Sequence, residues 1–541
     1  KITFLISDNS NYFPTGDIVE VREGELTILG RSRDIIKKGG QFIGLAEIEK
    51  LLSQHLSLTE VVAVKVEDQF YGENYVIFYR VVEKEKVDVS ELRTLLAKSL
   101  PKNKMPQSFY EVAEIPKTKS GKVRKHVLAR FAPYFQNKKL DFQRPVLPLS
   151  KNVTSLKSAL SIDINQIVYS MKRCGEKIIT LSLGEAFFDL PKFKFSGENF
   201  EKGYHYSDTA GLPSLRERVA EHYRAEYSAP VFSDEIVISA GSKPLVFMAL
   251  KAILEPGDTA LIHEPGWLSY AEQINLCGAE AKYIPFDVEV KDFGKYFQKN
   301  TRLLIINNPN NPRGKIYSID ELTEIYRIAR SRGAYVLVDE AYSDFTDMKF
   351  HSMAEVVPDK DGVVIINSLS KNFGISGWRI GYVIADQALR QELIKLNQHL
   401  ITCAPTILCI YVEKHFNELL KSTKKQIVAL LAKRVRLQRY MDKIKINYLS
   451  GGSTFYFFVS IENFYGSDEE FAKILLIQYK IAVVPGSAYG DSTHRYIRLS
   501  FGTETDKDIR YALDCIKTVM TMCDHDFIAI NAEYESWRLL S

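Results

Sequence analysis

The stretch VVIINSLSKNFGISGWRIG, residues 363–381, sets the reading of this chain. Its first part, Val363–Asn367, is an unbroken apolar run of strand length, the kind covered on both faces in a parallel sheet. The run ends in a turn of serines and glycine that holds Lys371, and Arg379 follows eight residues later. A single lysine in a turn is ordinarily a solvated surface amine. One that follows a buried strand, with a fixed cation close behind it, is placed to work as a nucleophile and proton carrier.

Similar strand runs lie outward from this point: Ile236–Ser239, Thr259–His263, Arg302–Ile306, Tyr335–Val338 and Ile380–Ile384. They alternate with segments of helical length, which predicts an α/β fold with a mostly parallel central sheet covered by helices. From about Gln391 a long helix and a second β-rich group lead to the C-terminus. Residues 151–390 are read as the large domain and 391–541 as a small α/β domain. The first segment of the large domain is also a candidate to join the small one.

Several side chains fall where such a sheet binds ligands. Asp339 closes the Tyr335–Val338 run and would reach the carboxyl edge of the sheet; taken alone, an aspartate there usually caps the next helix. Tyr342 lies three residues on. Gly241-Ser242-Lys243 precedes the helical run Pro244–Leu254, so its backbone N–H groups can meet a phosphate, with Arg379 as the cation and Ser368 as a hydroxyl. Trp267 can stack on a flat ring, although a half-buried aromatic is more often core. An imine-forming lysine, a phosphate cradle, a stacking aromatic and a carboxylate that keeps a pyridine nitrogen protonated are the separate demands of pyridoxal phosphate chemistry.

From Leu181 to Lys517 the chain resembles the class I/II aminotransferases of the fold-type I pyridoxal phosphate superfamily. The resemblance rests on the ordered stretches LSLGEAFFDLP, YHYSDTAGLPSLRE, NNPNNPRGKIY, VDEAYSDF, SLSKNFGISGWRIGY, GGSTFYFF, VVPGSAYG and YIRLSFGT. It implies that Lys371 holds the cofactor covalently, that Asp339 faces the pyridine nitrogen, that Tyr342 and Asn311 meet the ring oxygen, and that Trp267 stacks. Gly241, Ser242, Lys243, Ser368, Ser370 and Arg379 fall in the phosphate-binding stretches. Tyr206 matches a tyrosine that reaches the phosphate from the other subunit of a homodimer. Arg498 matches the arginine that grips the substrate α-carboxylate, and Gly184 a backbone contact to the same group. The implied reaction moves an amino group between an amino acid and a keto acid or other carbonyl substrate. Arg313 departs from the family pattern, which has threonine or serine after NPxNP.

Residues 1–131 mix β-rich runs (Glu25–Leu29, Val61–Val66, Tyr75–Val82) with helical ones (Gly44–Gln54, Val89–Leu100), which reads as a small α+β domain. Residues 132–150, with three prolines and no helical or strand period, read as a linker. Residues 12–131 resemble the C-terminal part of an adenylate-forming enzyme, as found in acyl-CoA synthetases and peptide-synthetase adenylation domains. YFPTGD at 12–17 is similar to the strand whose aspartate, here Asp17, holds the ribose of ATP. GRSRDIIK at 30–37 is similar to the hinge motif, with Arg31 and Arg33, and PKTKSGK at 116–122 to the loop whose lysine, here Lys122, meets the acyl carboxylate. Composition alone favours a solvated basic loop there. No loop rich in glycine, serine and threonine for ATP phosphates occurs, so ATP and Mg²⁺ are implied only with an upstream adenylation core, and no adenylation is expected from this chain by itself. The start at Lys1 favours a fragment of a ligase–aminotransferase fusion over a relic, with an acyl-carrier protein or CoA as a further candidate partner.

The whole composition fits this assignment. At 541 residues the chain predicts several domains, and 45% hydrophobic with 26% charged residues is the balance of a globular protein. A net charge of +4 predicts neither nucleic acid nor an anionic membrane as partner. The scattered cysteines include no C-x-x-C pair, no metal site is read, and a cytoplasmic location is expected. The same residues bear on three other readings. A PLP-binding transcription regulator needs a DNA-binding head, which residues 1–131 do not resemble. An acyl-transferring synthase is opposed by Trp267 and Trp378-Arg379, and a lyase of the aminocyclopropane-carboxylate synthase kind shares the motifs.

Overall fold

A computed structural model of the protein describes residues 17–538, apart from 23–24, 32–33, 69–70, 83–86, 113, 119–120, 136–147, 193–196 and 523. The chain divides into two compact units, residues 1–148 and 149–541.

In the first unit a sheet carries the strands Gln41–Gly44, Ile35–Lys38, Gly72–Val81 and Leu58–Asp68 in that order, and Phe109–Glu111 pairs parallel to Gly72–Val81. The strand Gly72–Val81 shows why both faces are covered. Tyr75, Ile77 and Tyr79 pack with Leu92 and Leu96 of the helix Val89–Ala97, while Val76 and Phe78 pack with Leu128 of the helix Lys125–Phe135. Alternate residues of a strand point to opposite faces, so an apolar run means two buried faces. The helix Lys125–Phe135 extends past residue 131, into the stretch read as linker. A separate hairpin pairs Asp17–Arg22 with Glu25–Arg31 and sets Asp17 opposite Arg31. Arg33 lies outside the described residues.

The second unit is built on a seven-stranded sheet. Its strands are β1 (Ile236–Ser239), β2 (Thr259–His263), β3 (Glu280–Ile284), β4 (Thr301–Asn307), β5 (Tyr335–Asp339), β6 (Val363–Ser368) and β7 (Gly381–Ala385). The order across the sheet is β3-β2-β4-β5-β6-β7-β1, all parallel except β7, which runs antiparallel to both neighbours. Two apolar cores sandwich it: Leu304, Ile306 and Ile365 point into one, Leu303, Ile305 and Ile366 into the other. The strand bounds lie within a residue or so of the apolar runs read from the sequence. Strand β3 was passed over, because its sequence EAKYI carries two charges and its edge position leaves most of it partly exposed.

Beyond β7 a helix Gln387–Leu400 and a shorter one, Thr406–Lys414, precede the 29-residue helix Phe416–Ile444. A small antiparallel sheet follows, with β8 (Tyr456–Ser460), β9 (Val484–Pro485) and β10 (Tyr496–Ser500). The helix Leu160–Arg173, although it comes before the large sheet, packs its Ile164, Ile167 and Met171 into this C-terminal layer. Ile179 and Thr180 then pair parallel with Ile481 and Ala482. Among the described residues no helix is long and apolar enough to cross a membrane.

Candidate active site

The parallel strands end on one side, and a cavity of about 410 Å³ opens beside those ends. Its walls include Asp339 from the end of β5, Ser368 from the end of β6, Ser370 and Lys371 from the turn beyond, and Arg498 from β10. Gly184, Ser242, Lys243, Trp267, Asn311, Tyr342 and Arg379, all singled out by the sequence, also line it, and Gly241 precedes Ser242 just outside the lining. Residues from 161 to 498 thus converge on one space.

Lys371 donates from Nζ to the carbonyl of Gly184 at 2.5 Å. Enclosure in the protein pushes its amine down to about 8, and the Arg498 and Arg379 charges act in the same direction, while Glu185 and Asp339 pull it back up. An amine near 8 has a usable neutral fraction at physiological pH. Asp339 is buried; its Oδ2 accepts from Tyr270 Oη at 2.6 Å and its Oδ1 from the Ala341 N–H at 3.1 Å. Burial raises its pKa, opposed by these two bonds and by Lys371. The carboxylate is therefore held in place and short of one strong cationic partner.

Tyr342 Oη lies 3.2 Å from Asn311 Nδ2, which donates to it, and 2.9 Å from Tyr456 Oη. Around the first turn of the helix Ser242–Ile253, glycines let the backbone and a cation come close. Gly241 has φ +92°, and a Cβ there would sit 2.4 Å from Arg379 Nη2. A Cβ on Gly381 would meet the Ser242 backbone nitrogen at the same 2.4 Å. Both positions therefore require glycine. Arg379 takes the left-handed φ of +56° and donates to the Ser376 carbonyl at 2.9 Å. Lys243 lies 5.1 Å from the centre of the Trp267 ring, and burial, with the nearby Arg379 charge, lowers its pKa. A helix N-terminus flanked by two cations is a site for a dianion.

Arg498 is buried, donates from Nη2 to the Ser182 carbonyl at 2.7 Å, and lies 4.8 Å from the centre of the Tyr456 ring. Its Nε, Asn311 Oδ1 and Ser370 Oγ are buried without a protein partner. Each such group costs about 1–3 kcal/mol, more when charged, unless something meets it. Three unpaired groups around one cavity fit a polar ligand with an anionic end.

A family model described as aminotransferase class I and II matches residues 179–516. The chain belongs to the class I and II aminotransferases. Members of this family use pyridoxal phosphate, and the aminotransferase at hand is such an enzyme, acting on amino acid and keto acid substrates. It is 32% identical over 380 residues to the (5-formylfuran-3-yl)methyl phosphate transaminase of Methanocaldococcus jannaschii, covering 68% of this chain and 98% of the relative. An aspartate aminotransferase of Pyrococcus horikoshii is 31% identical over 359 residues, 61% of this chain and 88% of that one. Among solved structures, a Methanococcus jannaschii protein described as similar in its active site to kynurenine aminotransferases superposes with a TM-score of 0.62 at 29% identity. It covers 69% of this chain and 100% of its own. A second family model, the AMP-binding enzyme C-terminal domain, matches residues 47–122.

Two residues singled out in the aminotransferase region stand away from this space. Tyr206 is 84% exposed and does not line the cavity of its own chain. Arg313 also lies outside it and ties two loops, donating to the carbonyls of Phe286 at 2.8 Å and Ser450 at 3.3 Å. Lys122 belongs to the other unit, exposed in a loop where its backbone exchanges bonds with Thr118. Conversely, sequence reasoning passed over Tyr270, Tyr456, Glu185 and Ser376. Tyr270 lies three residues after Trp267 and Tyr456 in the stretch GGSTFYFF, but their partners are 69 and 114 residues away, which no local pattern reveals. Ser161, Ile162 and Asn165, on one face of the helix Leu160–Arg173, also line the cavity.

Proposed function

We propose that Lys371 holds pyridoxal phosphate through its ε-amino group in this aminotransferase and that Asp339 faces the cofactor's pyridine nitrogen. The observation that carries the reading is the enclosure of Lys371, Asp339 and Arg498 in one cavity, with a phosphate-type cradle at Ser242, Lys243 and Arg379. Bound pyridoxal phosphate supplies an electron sink. Asp339, short of a cation, gains one when it meets a protonated ring nitrogen, and Tyr270 keeps its carboxylate aimed. Tyr342 and Asn311 present an O–H and an N–H to the ring oxygen, and Trp267 covers one face. Arg498 grips the α-carboxylate of the amino acid with its free Nε as one prong. With the cofactor bound, the Lys371 amine would hold and move a proton at the substrate Cα. Its depressed pKa suits that exchange.

The exposed Tyr206 is read as completing the phosphate site of a second copy, so the working form is a homodimer. Unit 1 is read as the closing subdomain of an adenylating module, supported by the match over residues 47–122 and the Pro116–Lys122 loop. Half-reactions test the function: single amino acids are mixed with the holoenzyme and the cofactor absorbance is followed. The expected outcome is conversion to the amine form of the cofactor by some amino acids. No conversion by any of them, in protein that holds the cofactor, would overturn the reading.

A further inference from the structure

Beneath the cavity lies a buried hydrogen-bonded net that none of the assigned roles uses. Glu340 follows Asp339 directly and is fully buried. Its Oε1 accepts from the Met353 N–H and from Ser352 Oγ, both at 2.9 Å; its Oε2 accepts from Tyr223 Oη at 3.0 Å. Tyr223 Oη in turn accepts from Asn367 Nδ2 at 2.9 Å. Asn367 precedes Ser368, and its Oδ1 accepts from the Ser368 N–H at 2.6 Å. Asn367 Nδ2 and Asn372 Nδ2, on either side of Lys371, both donate to Ser343 Oγ, at 3.1 and 3.0 Å. The neighbours of Asp339 on one strand end are thereby joined to the neighbours of Ser368 and Lys371 on the next.

We propose that Glu340, acting through Tyr223 and Asn367, is a positioning residue that fixes the Lys371 turn relative to Asp339. The register of β5 with β6 ends at Asp339–Ile366, with the Glu340 N–H bonded to the Ile366 carbonyl at 2.7 Å; beyond that point β6 stays paired with β7, and the ties described here between the β5 and β6 ends are side-chain ones. The Glu340 carboxyl supplies one, in surroundings where a loose acid would be expensive to keep. Burial, followed by the neighbouring Asp339 charge, pushes it up to about 8 against the pull of its donors; when the carboxyl carries a proton, its bond to Ser352 Oγ or to Tyr223 Oη is donated by Glu340 rather than accepted. A neutral acid and a glutamine offer similar shapes and the same number of polar atoms. Glu340→Gln is therefore the conservative replacement.

The inference rests on Lys371 and Asp339 being the working pair, and its test separates the two ideas by first confirming that wild-type protein binds the cofactor and transaminates. Two readouts are then taken on Tyr223→Phe, Glu340→Ala and Glu340→Gln. One is kcat against KM in the holoenzyme. The other, in cofactor-free protein, is the pH midpoint at which Lys371 reacts with fluorodinitrobenzene, mapped by mass spectrometry. Displacements of about 1 Å in a reacting group cost on the order of 10²-fold. We expect kcat to fall about tenfold in Tyr223→Phe and up to about 10²-fold in Glu340→Ala, with KM nearly unchanged and the Lys371 midpoint moved. Glu340→Gln should restore both, and the Tyr223→Phe/Glu340→Ala pair should be no worse than Glu340→Ala alone. If Tyr223→Phe, which deletes a single oxygen, lowers thermal stability but leaves kcat and the midpoint at wild-type values, the proposal is overturned, whether or not Glu340→Ala folds.

Discussion

Lys371 and Lys122 were both marked by sequence as lysines that meet a reacting group, and their surroundings differ sharply. Lys371 closes a cavity whose other walls are a buried carboxylate, two arginines and a helix N-terminus, and that enclosure shifts its amine to about 8. Lys122 stands exposed in a loop bonded to itself through Thr118. A motif therefore names a residue, but the walls give it chemistry. In the enclosed cavity, desolvation and fixed neighbours change the Lys371 amine's proton affinity and its reach.

The comparison breaks most easily at its strong end. Lys371→Ala should lower transamination by at least ~10⁴-fold, since both the nucleophile and the proton carrier go. Measured kcat within tenfold of wild type would mean that another amine does the work. Asp339→Ala is expected to fold and still bind some cofactor, with turnover down by roughly 10²–10³-fold, the scale of losing one preorganised electrostatic contact. Steady-state rates on cofactor-saturated protein decide it, and retained activity would move the ring-facing role elsewhere.

Arg498→Lys replaces a two-pronged grip by a point charge. Losing about 1.5–3 kcal/mol of charged hydrogen bonding should raise KM for amino acid donors roughly ten- to a hundredfold. Amines without a carboxylate should be unaffected, and an equal loss for both classes would remove Arg498 from carboxylate binding. At the weak end, Lys122→Ala should leave kcat and KM for transamination within about twofold, as for an exposed side chain away from structural features. A larger loss would show that unit 1 contributes to the aminotransferase reaction.

A further test uses acid–base linkage. Lys371 has its amine lowered to about 8 from the ordinary 10.5, so between those values the unfolded chain binds the proton that the folded protein lacks. Stability of cofactor-free protein should therefore rise with pH across that window. Chemical denaturation at pH 8 and pH 10 should show a flatter rise in Lys371→Met, and an identical slope would mean the amine is not depressed.

Much of this is legible in the amino-acid sequence. Strands β1, β2, β4, β5, β6 and β7 announce themselves because burial on both faces leaves unbroken apolar runs. Strand β3 does not, since it carries Glu280 and Lys282 on an edge that is left partly exposed, whereas β1 at the opposite edge is buried throughout. The residues gathered at the cavity were legible where they sit at strand ends and turns, as Asp339, Ser368, Lys371 and Ser242 do. Tyr456, Tyr270 and the Ser161–Asn165 face were not, because only tertiary folding brings a C-terminal sheet and an N-terminal helix to the same space. The buried Glu340–Tyr223–Asn367 tie was equally hidden, spread over 144 residues of sequence.

The account turns on which lysine carries the cofactor, and one measurement addresses that directly. Holoenzyme is reduced with borohydride, digested, and searched by mass spectrometry for the peptide bearing a pyridoxyl group. The mass should fall on Lys371 in stoichiometric amount. A pyridoxyl group on any other lysine, or none on protein that shows full activity, would contradict the assignment.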